Sequence, residues 1–270
     1  MPELPEVETT VKGLNILIGF KVINIKLHTK KLRYIIPNSI HKIKENSKII
    51  SIKRLAKYIL IEFSSNYTLV IHLGMSGRLK ILEKFKQIEK HDHFVLYLGK
   101  SKKLVFNDPR RFGFIDFDQT NKIYLRKYFM ILGVDALSND LNSNYIFNKI
   151  HKSDVQIKQI LLNQHIIAGI GNIYASEILF DSKISPFLKG KNVNKVKIKK
   201  LIRSIRKILL KAIEYGGSSI KNYVSSDGKL GNFQDNFVVY NQEGKKIYNS
   251  KVKKVVQYGR ATFYCPKIQK

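Results

Sequence analysis

Cysteine is almost absent from this 270-residue chain, where Cys265 stands alone. One thiol excludes an intramolecular disulfide and any four-cysteine zinc site, and it points to a reducing compartment. Acidic residues are scarce too: 20 Asp and Glu face 49 Lys and Arg, a formal charge of +29. No apolar run approaches the roughly 20 residues of a membrane span, and the acidic start MPELPEVETT lacks the marks of a secretory leader. No βαβ rhythm, nucleotide-binding glycine loop or internal repeat stands out. Hydrophobic residues nevertheless make up 44%, ample for a packed core and too many for a disordered basic tail. The expectation is a soluble protein of two domains.

A charge of this size favours a polyanionic partner, because basic side chains that neutralise phosphates release condensed counterions. Part of it has a plainer source. The chain is rich in Lys, Ile and Asn, as in KNVNKVKIKKLIRSIRKILLK, and some of those lysines are simply a solvated surface. An acidic protein or an anionic membrane would also answer to the charge, which names a class of partner and no activity.

Residues 3–18 read as an amphipathic helix, with Val7, Val11, Leu14 and Ile18 on one stripe and Gly19 closing it. Pro2 and Pro5 suit its first turn, and Glu3, Glu6 and Glu8 lie near the positive end of its dipole. From about 20 to 118 the runs are short and β-rich: KVINIKL (21–27), KIISIKRL (48–55), KYILIEF (57–63), TLVIHLG (68–74), HFVLYLG (93–99) and KLVFND (103–108). Their mixture of alternating and continuous apolar patterns suits a two-layer β-sandwich. Beyond 120 the period turns helical, in LRKYFMILG, NYIFNKIH, VQIKQILLNQ, GNIYASEILF and VKIKKLIRSIRKILLKAIEYG. The last carries an apolar stripe through Leu201, Ile205, Ile208 and Ala212, and its basic outer face reads as solvated surface. Residues 216–233 form a glycine- and serine-rich loop, and 237–266 read as strands with a turn at Glu243–Gly244.

The N-terminus is the first candidate for chemistry. Methionine before proline is normally trimmed, which would leave Pro2 with a free secondary amine. An α-amino group titrates near 7.7–8.0, against about 10.4 for lysine, so near pH 7 roughly a tenth of it is a ready nucleophile. A secondary amine attacking a carbonyl-like carbon forms an iminium ion, and Glu3 beside it could pass a proton. On composition alone, helix capping is the better account of the same two residues.

The full string MPELPEVET resembles the N-terminus of the bacterial formamidopyrimidine-DNA glycosylase family. RLAKYILIEF, IHLGMSGRL, KHDHF, NDPRRFGF, AGIGNIYASEILF, GGSSIKNYVSSDGK and GRATFYCP resemble that family's further blocks, in its order, across nearly the whole chain. Leu4, where the endonuclease VIII branch usually has glycine, favours the purine-lesion branch.

The resemblance implies an α+β protein with an N-terminal catalytic β-sandwich domain (1–130), a helical helix–two-turn–helix domain (131–234) and a C-terminal β-hairpin finger (235–270). It implies excision of oxidised purines from duplex DNA with strand cleavage by β,δ-elimination, no cofactor, no membrane, a monomer, and a place in the bacterial cytosol at the nucleoid. Pro2 would attack the sugar, Glu3 would help the ring open, Lys57 would donate a proton during cleavage, and Arg260 would grip the phosphate. Met75, Arg110 and Phe112 would fill the void behind an everted base. Met75 and Phe112 would otherwise be core, and Arg110 a surface ion pair. His91 and Asn172 would hold the DNA backbone, and the loop around Ser218–Tyr223 would fold over the lesion. A non-catalytic lesion sensor is the rival reading.

The sequence departs from the family at its end. Relatives usually close with a zinc finger of two CxxC pairs, whereas Ile247, Ser250 and Ile268 stand near three of those positions here and only Cys265 remains. One thiolate cannot hold tetrahedral zinc, so no metal is expected. Packing of Val238, Tyr240, Tyr248, Val252, Val255, Tyr258, Phe263 and Tyr264 is expected to hold the hairpin instead. The lysine that some relatives place before the helix–two-turn–helix aligns near Asp154, with Lys152 or Lys158 as substitutes.

Overall fold

The computed structural model describes residues 2–43, 47–218 and 231–270. The chain forms two compact units, the first Met1–Met130 with Tyr215–Asn232, the second Ile131–Glu214 with Phe233–Lys270.

The first unit opens with helix α1 (Leu4–Leu14). Its stripe of Val7, Val11 and Leu14 is buried as expected, but the α-helix stops short of residue 18. A 3-10 turn over Asn15–Leu17 rotates Leu17 inward and leaves Ile18 46% exposed. Gly19, at φ +89°, then turns the chain away. Eight strands follow: β1 (Val22–Leu27), β2 (Ile49–Leu55), β3 (Tyr58–Phe63), β4 (Tyr67–His72), β5 (Arg78–Glu83), β6 (Asp92–Leu98), β7 (Lys102–Asn107) and β8 (Phe114–Gln119). They pair antiparallel into two four-stranded sheets, ordered β1-β6-β7-β5 and β2-β3-β4-β8. Leu96, Leu104 and Phe106 of one sheet share a single core with Ile59, Ile61, Leu69 and Phe117 of the other and with Val7 and Val11 of α1. That is a β-sandwich, closed along one side by a helix.

Two short helical turns, α2 (Thr120–Ile123) and α3 (Lys127–Met130), end this part of the chain. The helix expected over LRKYFMILG is reduced to α3. Gly133 runs so close to Ile166 that a Cβ there would lie 2.3 Å from its carbonyl oxygen. The chain is therefore drawn into the short parallel pair of β9 (Val134–Asp135) with β10 (Ile167–Ala168).

The second unit is built on α4 (Ser143–Ile150), α5 (Ile157–Leu162), α6 (Asn172–Asp181) and α7 (Lys195–Glu214). Leu201, Ile205, Ile208 and Ala212 of α7 are buried, as their spacing predicts. Two small antiparallel hairpins complete the unit, β11 (Lys246–Ile247) with β12 (Ser250–Lys251) and β13 (Lys253–Gln257) with β14 (Arg260–Tyr264). The strand expected over FVVY does not form. The backbone N–H groups of Val238, Val239 and Tyr240 donate instead to the Glu177 carboxylate of α6, at 3.0, 3.0 and 2.8 Å. Burial pushes that carboxyl up, against the pull of the three donors.

Among the described residues no helix is long and apolar enough to cross a membrane.

Candidate active site

Pro2 is buried and leads directly into Glu3, the N-cap of α1, which is 3% exposed. Glu3 N–H donates to Glu6 Oε2 at 2.9 Å, one half of a capping box. The other Glu6 oxygen accepts the backbone N–H and the hydroxyl of Ser218, at 2.7 and 2.9 Å. Glu6 therefore ties the segment bearing Pro2 and Glu3 to the stem of the glycine- and serine-rich loop. Residues 219–230, most of the segment expected to fold over a lesion, lie outside the described residues.

Lys57, 7% exposed, occupies the two-residue turn between β2 and β3. Ala56 before it adopts φ +53°. Arg54 braces that turn by donating Nη1–H to the Ala56 carbonyl at 3.1 Å, and its Nε–H reaches Glu8 of α1 at 2.6 Å. The register sets Tyr58 opposite His72, whose ring stacks on Phe114 with centroids 5.4 Å apart. His72 Nδ1 accepts the Gly74 N–H at 3.1 Å. Burial first, then the Lys57 and Arg33 charges, lower its pKa to about 4, so the imidazole is neutral at physiological pH.

Met75, Arg110 and Phe112 lie on two loops packed backbone to backbone; a Cβ on Gly74 would sit 2.3 Å from Gly113 N. Asp108, fully buried, joins these loops. Its Oδ1 accepts the Ser76 hydroxyl at 2.6 Å, and its Oδ2 accepts the Gly113 N–H at 2.8 Å. Ser76 Oγ in turn accepts the Arg110 N–H at 3.1 Å. The Arg110 guanidinium lies 4.9 Å from the Phe112 ring centroid. Met75 and Phe112 are 41% and 44% exposed, so neither is spent on the core. His91 is half-buried, and its carbonyl accepts the Asp108 N–H at 3.0 Å.

In the second unit Asn172 opens α6, after a turn that Gln164 organises. Gln164 donates to the Leu162 and Ile170 carbonyls and accepts the Gly169 N–H. Asn172 Nδ2 donates to the Ala261 carbonyl at 3.0 Å, next to Arg260. Arg260 is exposed at the start of β14, beyond a turn in which Tyr258 and Gly259 both have positive φ, +49° and +73°. That is the geometry of a type I′ hairpin.

The finger's core consists of Val239, Val252, Phe263 and Cys265, with Ile247 and Ile268 packed against it. Tyr248 and Tyr258, expected in that core, are 84% and 69% exposed, because each occupies a turn position with positive φ. Burial raises the Cys265 thiol pKa, against a hydrogen bond with Ser250, and among the described residues no three His, Cys, Asp or Glu side chains converge. This donor set does not fit a structural zinc ion. Lys158, named as a substitute backbone contact, is fully buried with its Nζ on Ala261 and Thr262. Asp154 is exposed, and hydrogen bonds from Lys191 and then Lys189 hold its carboxyl below the usual range. Glu6 is readable from the sequence only as a first-turn carboxylate, and nothing there marks His72, Ser76, Asp108 or Gln164, since these roles arise from partners far along the chain or across a turn.

A two-sheet β-sandwich led by a buried Pro2–Glu3 segment, coupled in one chain to a helical unit and a β-hairpin, is the architecture of a DNA-repair glycosylase. Residues 1–115 match the model of the formamidopyrimidine-DNA glycosylase N-terminal domain, and residues 132–224 that of its H2TH domain. The chain belongs to the formamidopyrimidine-DNA glycosylase family. It is 42% identical over 272 residues to the enzyme of Rickettsia canadensis and 43% to that of Zymomonas mobilis, spanning the whole of this chain and 99% and 100% of theirs. Among solved structures it resembles a Lactococcus lactis Fpg mutant in complex with a Fapy-dG containing DNA, at 31% identity and TM-score 0.91 over the full length of both chains. It also resembles the L. lactis Fpg bound to an abasic-site DNA, at 32% identity and TM-score 0.90 over 99% of each.

Proposed function

We propose that this glycosylase excises oxidised purines, 8-oxoguanine and formamidopyrimidines, from duplex DNA and then cleaves the strand at the same site. Once Met1 is removed, the Pro2 nitrogen attacks C1′ of the damaged nucleotide; the N–C1′ bond forms as the glycosidic bond breaks and the base leaves. Glu3 protonates the sugar ring oxygen, the ring opens, and the amine and C1′ become an iminium ion. Loss of the C2′ proton expels the 3′ phosphate, and δ-elimination then expels the 5′ phosphate. Lys57 supplies a proton during cleavage and Arg260 holds the departing phosphate. A one-nucleotide gap remains.

Burial of Pro2 and Glu3 at the N-cap of α1 carries this reading, since a mere helix start needs neither residue shielded from water. Exposure of Met75, Arg110 and Phe112 on two braced loops supports their insertion into the duplex. There Arg110 donates to the orphaned base, which favours cytosine opposite the lesion. His91 and Asn172 serve as backbone contacts in the same reading. The protein acts as a monomer in the bacterial cytosol, with 1–130 catalytic, 131–234 engaging DNA and 235–270 bearing Arg260. Duplexes with 8-oxoguanine opposite cytosine or adenine, beside an undamaged duplex, test this. Excision fastest opposite cytosine, with β,δ-elimination products, is expected. Tight binding without excision contradicts it.

A further inference from the structure

Arg260 stands at an exposed turn, yet the backbone around it is fixed from several sides within the second unit. The carbonyl of Ala261 accepts both Lys158 Nζ, at 2.9 Å, and Asn172 Nδ2, at 3.0 Å. Lys158 Nζ also donates to Thr262 Oγ1 at 2.6 Å, and that hydroxyl donates to Gln257 Oε1 at 2.8 Å. Gln257, the partner of Arg260 in the β13–β14 register, donates to the Pro186 carbonyl at 3.2 Å and to Gln156. The finger's apolar core, with Phe263 and Cys265, lies toward the other end of β14. Packing therefore holds the far end of the strand, and a polar clamp holds the end that bears Arg260.

Lys158 is the unexpected member of that clamp. It is fully buried on α5, beside Ile157, Ile160 and Leu161, which are buried as well. An ammonium taken into the interior is costly unless oxygens meet its N–H groups. An apolar side chain would serve α5 better if packing were the only demand.

We propose that Lys158 is the positioning residue for Arg260. Its ammonium locks the Ala261–Thr262 backbone to α5 and so sets the direction in which the neighbouring guanidinium is presented. This rests on the reading of Arg260 as the group that holds phosphate during strand cleavage. The lysine touches no substrate and acts only through the strand.

The test uses the full-length protein with Lys158→Met, Lys158→Arg, Thr262→Val, Arg260→Ala and the Lys158→Met/Arg260→Ala double variant. Cleavage of a preformed abasic-site duplex and excision of 8-oxoguanine are followed separately in single turnovers. Lys158→Met is expected to slow cleavage by about a hundredfold, the scale of a misplacement near 1 Å, and to slow excision far less. Lys158→Arg, which keeps a charged donor, recovers part of the loss. The double variant cleaves no more slowly than Arg260→Ala alone, because nothing remains to be positioned. If Lys158→Met does not fold, Thr262→Val combined with Arg260→Ala supplies the same cycle. Losses that multiply in the double variant, or that fall equally on excision and cleavage, overturn the positioning role. Unimpaired cleavage by Arg260→Ala overturns the reading of Arg260 itself, and the inference with it.

Discussion

At the scale of single residues, buried polar groups decide how the site is built. Glu6 joins the N-cap of α1 to Ser218, Asp108 joins two loops, and His72 sits as a neutral acceptor beneath the turn that carries Met75. His72 has a consequence for pH. An unfolded imidazole titrates near 6.5, whereas His72 does so at about 4 in the fold, so the unfolded chain takes up the proton first. Its contribution to stability is therefore intact above about pH 6.5 and is lost as the pH falls toward 4, by on the order of 3 kcal/mol. Urea unfolding at pH 7 and at pH 4.5 should show the wild-type midpoint falling further than that of His72→Asn. Equal falls would show that His72 does not carry this pH dependence.

At the scale of elements, the two braced loops and the Glu177 anchor make separate predictions. Gly74→Ala places a Cβ 2.3 Å from Gly113 N at a φ of +63°. The loops bearing Met75 and Phe112 cannot both keep their places, so stability should fall by about 2 kcal/mol or more and lesion binding should weaken with it. Unchanged melting and binding would refute the close packing. Glu177→Gln weakens the acceptor of three consecutive N–H groups and should cost about 2 kcal/mol in chemical denaturation. The six strands read from apolar runs are present, because Ile, Val and Phe at alternating or continuous spacing leave little choice of structure. β5 and β8 do not announce themselves: β5 buries little beyond Leu79, and β8 carries Asp116 and Asp118, which pair with Arg126. The segment 237–245 reads as a strand from FVVY because nothing local reveals that Glu177, some 60 residues earlier, claims its N–H groups. Family resemblance alone proposes Pro2, Glu3, Lys57 and Arg260 as a set. The partners that hold them are legible only in three dimensions.

At the scale of the whole molecule, the +29 charge and the finger without a full set of metal donors matter most. Binding to a lesion duplex should weaken by about a thousandfold or more between 50 and 200 mM salt if six to ten phosphates are engaged; a flat dependence would assign the lysines to plain surface. Treatment with a strong chelator should leave both the melting temperature and excision unchanged, since Val239, Val252, Phe263 and Cys265 form the finger's core. A loss reversed by zinc would contradict that. Every later step depends on amine chemistry at Pro2, which borohydride trapping on a duplex with 8-oxoguanine opposite cytosine reads out. A covalent protein–DNA adduct is expected in the parent and should drop sharply in Pro2→Glu, whose bulky second residue keeps Met1 in place and so denies the sugar a free amine at that position, while binding persists. Tight binding by the parent with no adduct would contradict it and leave a lesion sensor in place of an enzyme.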